Sequence, residues 1–454
     1  MMIFVKNALL RQMLRDRCHC HGFKLMFALL TLFLLMLTAL LFSSVSFAAA
    51  YSVSDSEGLK AQLAQSRPGD SILLRAGIYS GQFEIHHGIT LTGEKGAVID
   101  AQGLGSAITI FVSDVTISNL EIQNWGGDLY ERDSGILIQD LAHRTKIESN
   151  RLTGRGFGVC AENSANITVS DNIISGDPER HKLDRGDGIH LKRVESPVIE
   201  GNKIFHVRDG VYIEAGKHSL IFDNQFSEQQ YGIHYMYSKR DEAYGNEAVD
   251  VDGGYALMSS ENINLYHNRV SRAKEFGVLL NMTHNSVVSS NRVSDAHNPQ
   301  GKVELGNEGK GIFVYGALDN EIRHNLFSTS DIGIYMAMGG EGNLVYGNQF
   351  VNNRTQVKYV GEQLLEWSRD SRGNYWSGYM GWDSNRDGIA DNPYRPNDGL
   401  DKLFWLYPEA RFLMNSPVVA LLRWVQSQFE FGEPNGIVDS FPLISADMEL
   451  CVLC

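Results

Sequence analysis

The sequence predicts an all-β fold: a single-stranded right-handed parallel β-helix with rungs of about 22 residues. Three observations carry this reading. Glycine recurs ahead of a short alternating apolar run at Gly135, Gly158, Gly188, Gly210, Gly232, Gly254, Gly277, Gly311 and Gly333. Asparagine closes each copy at Asn150, Asn172, Asn202, Asn224, Asn246, Asn268, Asn291, Asn325 and Asn348. Both series step by 22 or 23 residues, except for one step of 30 and one of 34. The first and third positions after each glycine are apolar in nearly every copy, as in Ile189/Leu191, Val211/Ile213, Ile233/Tyr235 and Val278/Leu280. Leucine-rich repeats share the length but need several leucines at fixed spacing, which are missing here.

Each element has its own reason. Residues 1–50 read as a targeting segment. Lys6, Arg11, Arg15, Arg17 and Lys24 precede an apolar run from Leu25 to Phe42, and small residues follow in SVSFAAAY. That order of basic, apolar and small is a secretory signal, cleaved near Ala48–Ala50; the apolar run could also stay as an anchor. Residues 51–359 form the β-helix, with a cap at 51–80. There SDSEGLKAQLAQSRPGD reads as a short amphipathic helix and a turn, which would cover the first open rung. Strands at 89–99 and 107–122 open the rod, and the glycine-led rungs run to 359. About a dozen rungs at roughly 4.8 Å each give a rod of about 55 Å. Inward side chains stack, and the closing Asn suits a left-handed turn and an amide ladder between neighbouring rungs. The two long steps hold polar insertions, 175–185 and 295–310, which leave the rod at turns and suit the walls of a binding site. From 360 to 444 the repeat gives way to a partly helical capping and docking extension, and 445–454 is a loosely ordered tail.

Composition narrows the function. The formal net charge is −14, and no Lys/Arg-rich run follows the N-terminus. That argues against a nucleic-acid partner. The exported chain would keep only Cys160, Cys451 and Cys454, too few for a disulfide framework. Cys451 and Cys454 form a CxxC at the extreme end, read as an incidental feature of a variable terminus.

Function is to be sought on the outward face. The second and fourth positions after each glycine vary, and mid-rod they bring His190, Lys192, Tyr212, Glu214, His234, Met236 and Met258 next to one another. Imidazole and thioether together suit Cu(I), so His234, Met236 and Met258 are the candidate copper ligands. Met residues filling apolar surface are the bland alternative. His, Tyr and Lys could instead serve as bases in a lyase or epimerase of acidic polysaccharides. Against that, the close Asp pair of polysaccharide hydrolases is not visible, and Asp187 in RGDGIHL stands alone.

Asp383, Asn385, Asp387, Gly388 and Asp391 match positions 1, 3, 5, 6 and 9 of a calcium loop. Tyr394 stands at the position of the closing Glu, so Asp398 would have to supply that ligand. A hydrogen-bonded turn is the alternative. Residues 401–431 carry more apolar side chains than a cap needs: Leu403, Phe404, Trp405, Leu406, Phe412, Leu413, Met414, Leu422, Trp424, Val425 and Phe429 among them. Pro408 and Pro417 break the stretch, so it suits a docking surface better than a membrane span. A chain cut after Asn397 is expected to keep a folded rod and lose its partner.

GNYWSGYMGWDSNRDGIADNPYRPND, then LFWLYPEARFLMNSPVVALLRWVQSQF and the closing GIVDSFPL, resemble the NosD family. With the rungs, the resemblance covers nearly all of the exported chain. It implies a non-enzymatic periplasmic role in maturing the copper centres of nitrous oxide reductase. It also implies partners: a membrane permease with its cytoplasmic ATPase, a copper lipoprotein chaperone and the reductase. Copper would be a transient cargo and calcium a structural ion. The family has no catalytic motif to carry over, and the CVLC tail lies outside its pattern.

Overall fold

In a computed structural model, three long parallel sheets run the length of a β-solenoid. The structure describes residues 48–302, 307–361, 363–397, 400–401, 407, 413, 416–428 and 436–446. The targeting segment up to residue 47 and the CxxC at 451–454 lie outside them. Sheet A holds 13 strands, from Ala50–Val53 to Leu344–Tyr346. Sheet B also holds 13, from Gly77–Ser80 to Tyr375–Trp376, and sheet C holds 12, from Phe83–Ile85 to Thr355–Tyr359. The chain visits A, B and C in turn, and every strand pairs in parallel with its equivalent one rung away. At the usual strand spacing, 13 rungs make a rod of about 60 Å.

The rungs thus begin at Ala50 and end at Trp376, before and after the 89–359 stretch legible as repeat. Helix α1 (Ser56–Gln65) links the first sheet A strand, Ala50–Val53, to its neighbour one rung on, Ser71–Leu74. Asp55 caps its N-terminus by accepting from the Gly58 N–H, and Leu59 and Leu63 turn into the core. The inward positions form one continuous core, with Val211, Ile213, Ile233 and Leu257 fully buried.

The amide ladder is present and longer than expected. Asn246 Oδ1 accepts from the backbone and side-chain N–H of Asn224, at 3.1 and 3.0 Å. Its own Nδ2 donates to Asn268 Oδ1 and to the carbonyls of Ile221 and Tyr244. The same pattern runs from Asn150 to Asn374, one member beyond the nine. The left-handed backbone falls on the residue before each Asn, not on the Asn itself. Asp171, Gly201, Asp223, Gly245 and His267 have φ of 55°, 64°, 55°, 65° and 54°. The Asn is needed for its amide, because a buried turn must satisfy its own N–H and C=O groups.

The frame glycine also has a specific cause. A Cβ on Gly210 would lie 2.4 Å from Phe226 Cδ1 and 2.6 Å from the carbonyl oxygen of Gly232. Glycine is required here by the close approach of sheet B side chains and the next rung.

The rod end is closed by a segment far along the chain. Strand Gly436–Val438 pairs with Leu364–Glu366, and Ile437 is buried in the core. Asp439 is buried beneath it and accepts from the Asn374 N–H and the Trp376 indole N–H at 2.8 and 2.7 Å. The last member of the Asn ladder is thus capped by a carboxylate. Residues 436–443 therefore pack on the rod end, and a chain cut after Asn397 would lose them.

Candidate functional site

The outward face of sheet C carries side chains of successive rungs stacked on one another. Two small apolar clusters lie on it, apart from the main core: Leu137, Phe157 and Cys160 at one end, and Ala256, Phe276 and Leu279 further along. Several outward residues are therefore buried, with Phe157 and Phe276, each just before a frame glycine, packed over them. Between the two clusters sits a charged one. Asp187 and Asp209 each precede a frame glycine, one rung apart.

Asp187 is fully buried and has four contacts. His190 Nδ1 lies 2.8 Å from Oδ2, Arg208 reaches both oxygens at 3.0 and 2.9 Å, and the Asp209 N–H donates to Oδ1 at 3.2 Å. Burial pushes this carboxyl up, but His190 and Arg208 outweigh it and hold it below the ordinary aspartate value. Asp209 differs. His234 Nδ1 lies 3.0 Å from its Oδ2, and its Oδ1 has no hydrogen-bond partner. Burial therefore wins at Asp209, and its pKa is raised, with the Asp187 charge adding to the effect. Tyr212 lies between the two imidazoles, with ring centroids 5.0 Å from His190 and 4.9 Å from His234. Burial pushes its phenol up to about 12, so it stays protonated at neutral pH. At Cys160 burial likewise pushes the thiol up to about 12, so it is an inert thiol at neutral pH.

The insertion at 175–185 reaches along several rungs of this face. Arg185 pins it by donating to the carbonyls of Arg180 and Pro178. Lys182 Nζ reaches Asp252 Oδ2 at 2.7 Å, on a later rung, and Lys274 Nζ lies 3.4 Å from the other oxygen. At the far end, Asp331 ties down the second insertion by accepting from the Asn298 and Gly309 N–H groups. Lys358 lies over the Tyr335 ring at 4.7 Å.

The candidate copper ligands are distributed as follows. Met236 and Met258 are register partners on adjacent rungs, and both are half-buried. Met258 packs on the Ala256–Phe276–Leu279 cluster. His234, two residues from Met236, is 8 % exposed and turned onto Asp209. Its Nε2 is buried with no hydrogen-bond partner. An imidazole whose Nδ1 is held by a carboxylate and whose Nε2 lone pair is unused is of the kind that ligates a soft metal. Among the described residues, no three His, Cys, Asp or Glu side chains gather as a metal site.

Asp209 and Arg208 went unnoticed in the sequence, where Asp187 looked solitary. The signal was available: Asp-Gly at 187–188 and again at 209–210, one repeat step apart. Both carboxylates are engaged inward, so they do not form an exposed acid pair.

Asp383, Asn385, Asp387 and Asp391 lie in an exposed turn held by its own side chains. Asp383 accepts from the Asp387 and Gly388 N–H groups at 3.2 and 3.0 Å. Asp391 accepts from the Ser384 N–H and hydroxyl, and these bonds lower its pKa. Asp398 lies outside the described residues. Of the docking residues, Leu413 and Leu422 are 43 % and 45 % exposed, and Val425 is half-buried. Leu422, Trp424 and Val425 belong to helix α2 (Pro417–Gln428). Leu403, Phe404, Trp405, Leu406, Phe412, Met414 and Phe429 lie outside the described residues. No described helix is long and apolar enough to cross a membrane.

Fold and face together define a repeat-solenoid protein whose sheet C carries a buried charged cluster between two small apolar ones. The chain belongs to the NosD family, whose model, described as periplasmic copper-binding protein (NosD), matches residues 170–381. It is 39 % identical over 379 residues to the "Probable ABC transporter binding protein NosD" of Stutzerimonas stutzeri, covering 83 % of this chain and 87 % of that one. The protein of the same name from Pseudomonas aeruginosa is 40 % identical over 373 residues, covering 82 % and 87 %. These relatives are named as binding proteins, not as enzymes. Among solved structures, an alginate lyase from a Paenibacillus species is similar, with a TM-score of 0.46 at 14 % identity, over 59 % of this chain and 99 % of that one.

Proposed function

We propose that this chain is an exported, non-enzymatic factor that delivers copper during maturation of nitrous oxide reductase. The observation that supports it is its similarity, near 40 % and across more than four-fifths of both chains, to two NosD proteins named for an ABC transporter. In this reading residues 1–50 are the export signal. The segment 401–431 attaches the rod to the periplasmic side of a permease in the inner membrane, whose ATPase is cytoplasmic. A copper lipoprotein chaperone loads the rod, and the reductase receives the metal.

Copper binds on the outward face of sheet C in this reading, through His234, Met236 and Met258. A carrier needs a weak, low-coordinate site, and imidazole with two thioethers supplies one. His234→Ala combined with Met236→Ala should lower the Cu(I) stoichiometry of the purified mature protein and leave the reductase made but copper-poor. Normal copper loading in that double variant would show that the face is ordinary surface.

A further inference from the structure

We infer that Asp209 is a positioning residue for copper: it holds the Nδ1–H of His234 and so makes Nε2 the metal-binding atom. This deepens the copper reading above and rests on it.

Asp209 Oδ2 lies 3.0 Å from His234 Nδ1, and among the described residues Nε2 has no hydrogen-bond partner. With Asp209 ionised, its carboxylate can only accept, so Nδ1 carries the proton and the lone pair falls on Nε2. In this geometry Nε2 is the orphan, buried without a partner in a side chain 8 % exposed. A buried acceptor left unpaired has a free-energy cost that a bound cation would remove. The rest of the cluster keeps Asp209 in place. Its backbone N–H donates to Asp187 Oδ1 at 3.2 Å, and Asp187 is itself clamped by Arg208 and His190. The orienting carboxylate thus comes from the rung below the imidazole and is fixed by a buried ion pair. Carboxylates that orient a ligating histidine raise its basicity, and their loss typically weakens metal binding by about 10–100-fold. Tyr212 and Tyr231 pack edge-on against the imidazole, with centroids 4.9 and 5.3 Å away. Nε2 has no solvent access, so copper entry requires a neighbouring side chain to move.

The test uses the mature full-length protein, Cu(I) and a chromophoric Cu(I) chelator as competitor. Asp209→Asn keeps the shape and replaces an acceptor with an amide that can donate to Nδ1, placing the proton on Nε2. Cu(I) affinity should fall about 10-fold or more, with the melting temperature close to wild type. Nitrogen NMR of the metal-free wild type should show a protonated Nδ1 and a lone pair on Nε2 at His234, and the variant should lose that pattern. If His234→Ala binds Cu(I) as wild type does, the copper reading of this face fails. If His234→Ala weakens binding and Asp209→Asn does not, only the role of Asp209 fails. A wild-type spectrum with the proton on Nε2 overturns the inference by itself, and this arm decides if Asp209→Asn does not fold.

Discussion

At the scale of single residues, the rod contains a misfit with a readable consequence. Asp241 is 1 % exposed and stands at the register where Asn320 and Asn343 stand on later rungs. Its Oδ1 accepts from the Ser219 N–H at 2.7 Å, and its Oδ2 is buried without a hydrogen-bond partner among the described residues. Burial pushes its pKa up to about 6. A folded-state pKa above the unfolded value means that the folded chain holds the extra proton. The contribution of Asp241 to stability is complete below about pH 4 and is lost as pH rises through about 6. Asp241→Asn should remove that dependence and raise stability at pH 7.5 by roughly 1–3 kcal/mol. The new amide could donate to backbone carbonyls, as Asn320 does to those of Thr283 and Leu318. Denaturant titrations at pH 5 and 7.5 check both parts; equal pH slopes in variant and wild type would reject the assignment.

At the scale of elements, the ladder and the acidic turn make opposite predictions. Asn246 serves three rungs at once, so Asn246→Ala strands the Asn224 N–H groups and three carbonyl or amide acceptors. Several buried groups lose partners together, so the loss should be roughly 2–4 kcal/mol by urea unfolding. A change under about 0.5 kcal/mol, ordinary for surface positions, would mean that water replaces the ladder. The turn at 383–391 already satisfies its backbone with its own carboxylates. We propose that calcium can still join Asp383, Asn385, Asp387 and Asp391 and brace the junction of rod and extension. Calcium should then raise the melting temperature and chelation should lower it. Identical melting curves with and without chelator would leave a hydrogen-bonded turn and nothing more.

At the scale of the whole molecule, the docking proposal needs a sharper experiment than truncation. Removing everything after Asn397 would delete Ile437 and Asp439, which close the rod, and would confound docking with unfolding. Helix α2 offers a cleaner handle. Val418, Leu421 and Leu422 are 65 %, 59 % and 45 % exposed, whereas Val419 is 5 % exposed. Leu421→Asp with Leu422→Asp should leave the rod folded, because neither side chain is buried. It should greatly lower recovery of the permease with the tagged protein, since a charge in an apolar interface is costly. Full recovery of the permease would place the docking surface elsewhere.

The sequence by itself determined the rod. Strand alternation is a property of the local backbone, and the 22-residue step forces equivalent residues into register, so core positions, the Asn ladder and both insertions were legible from Gly188, Val211, Ile213 and Asn224 onward. Which outward residues stay exposed was decided only by tertiary structure. His234 reads as surface by its position in the repeat, yet Tyr212, Tyr231 and Asp209 bury it. Burial depends on what neighbouring rungs contribute, and no periodicity within one rung contains that information. The rod end followed the same logic. Asp439 closes a ladder at Asn374, 65 residues away, and a single carboxylate outside the repeat carries no sequence pattern that announces its partner.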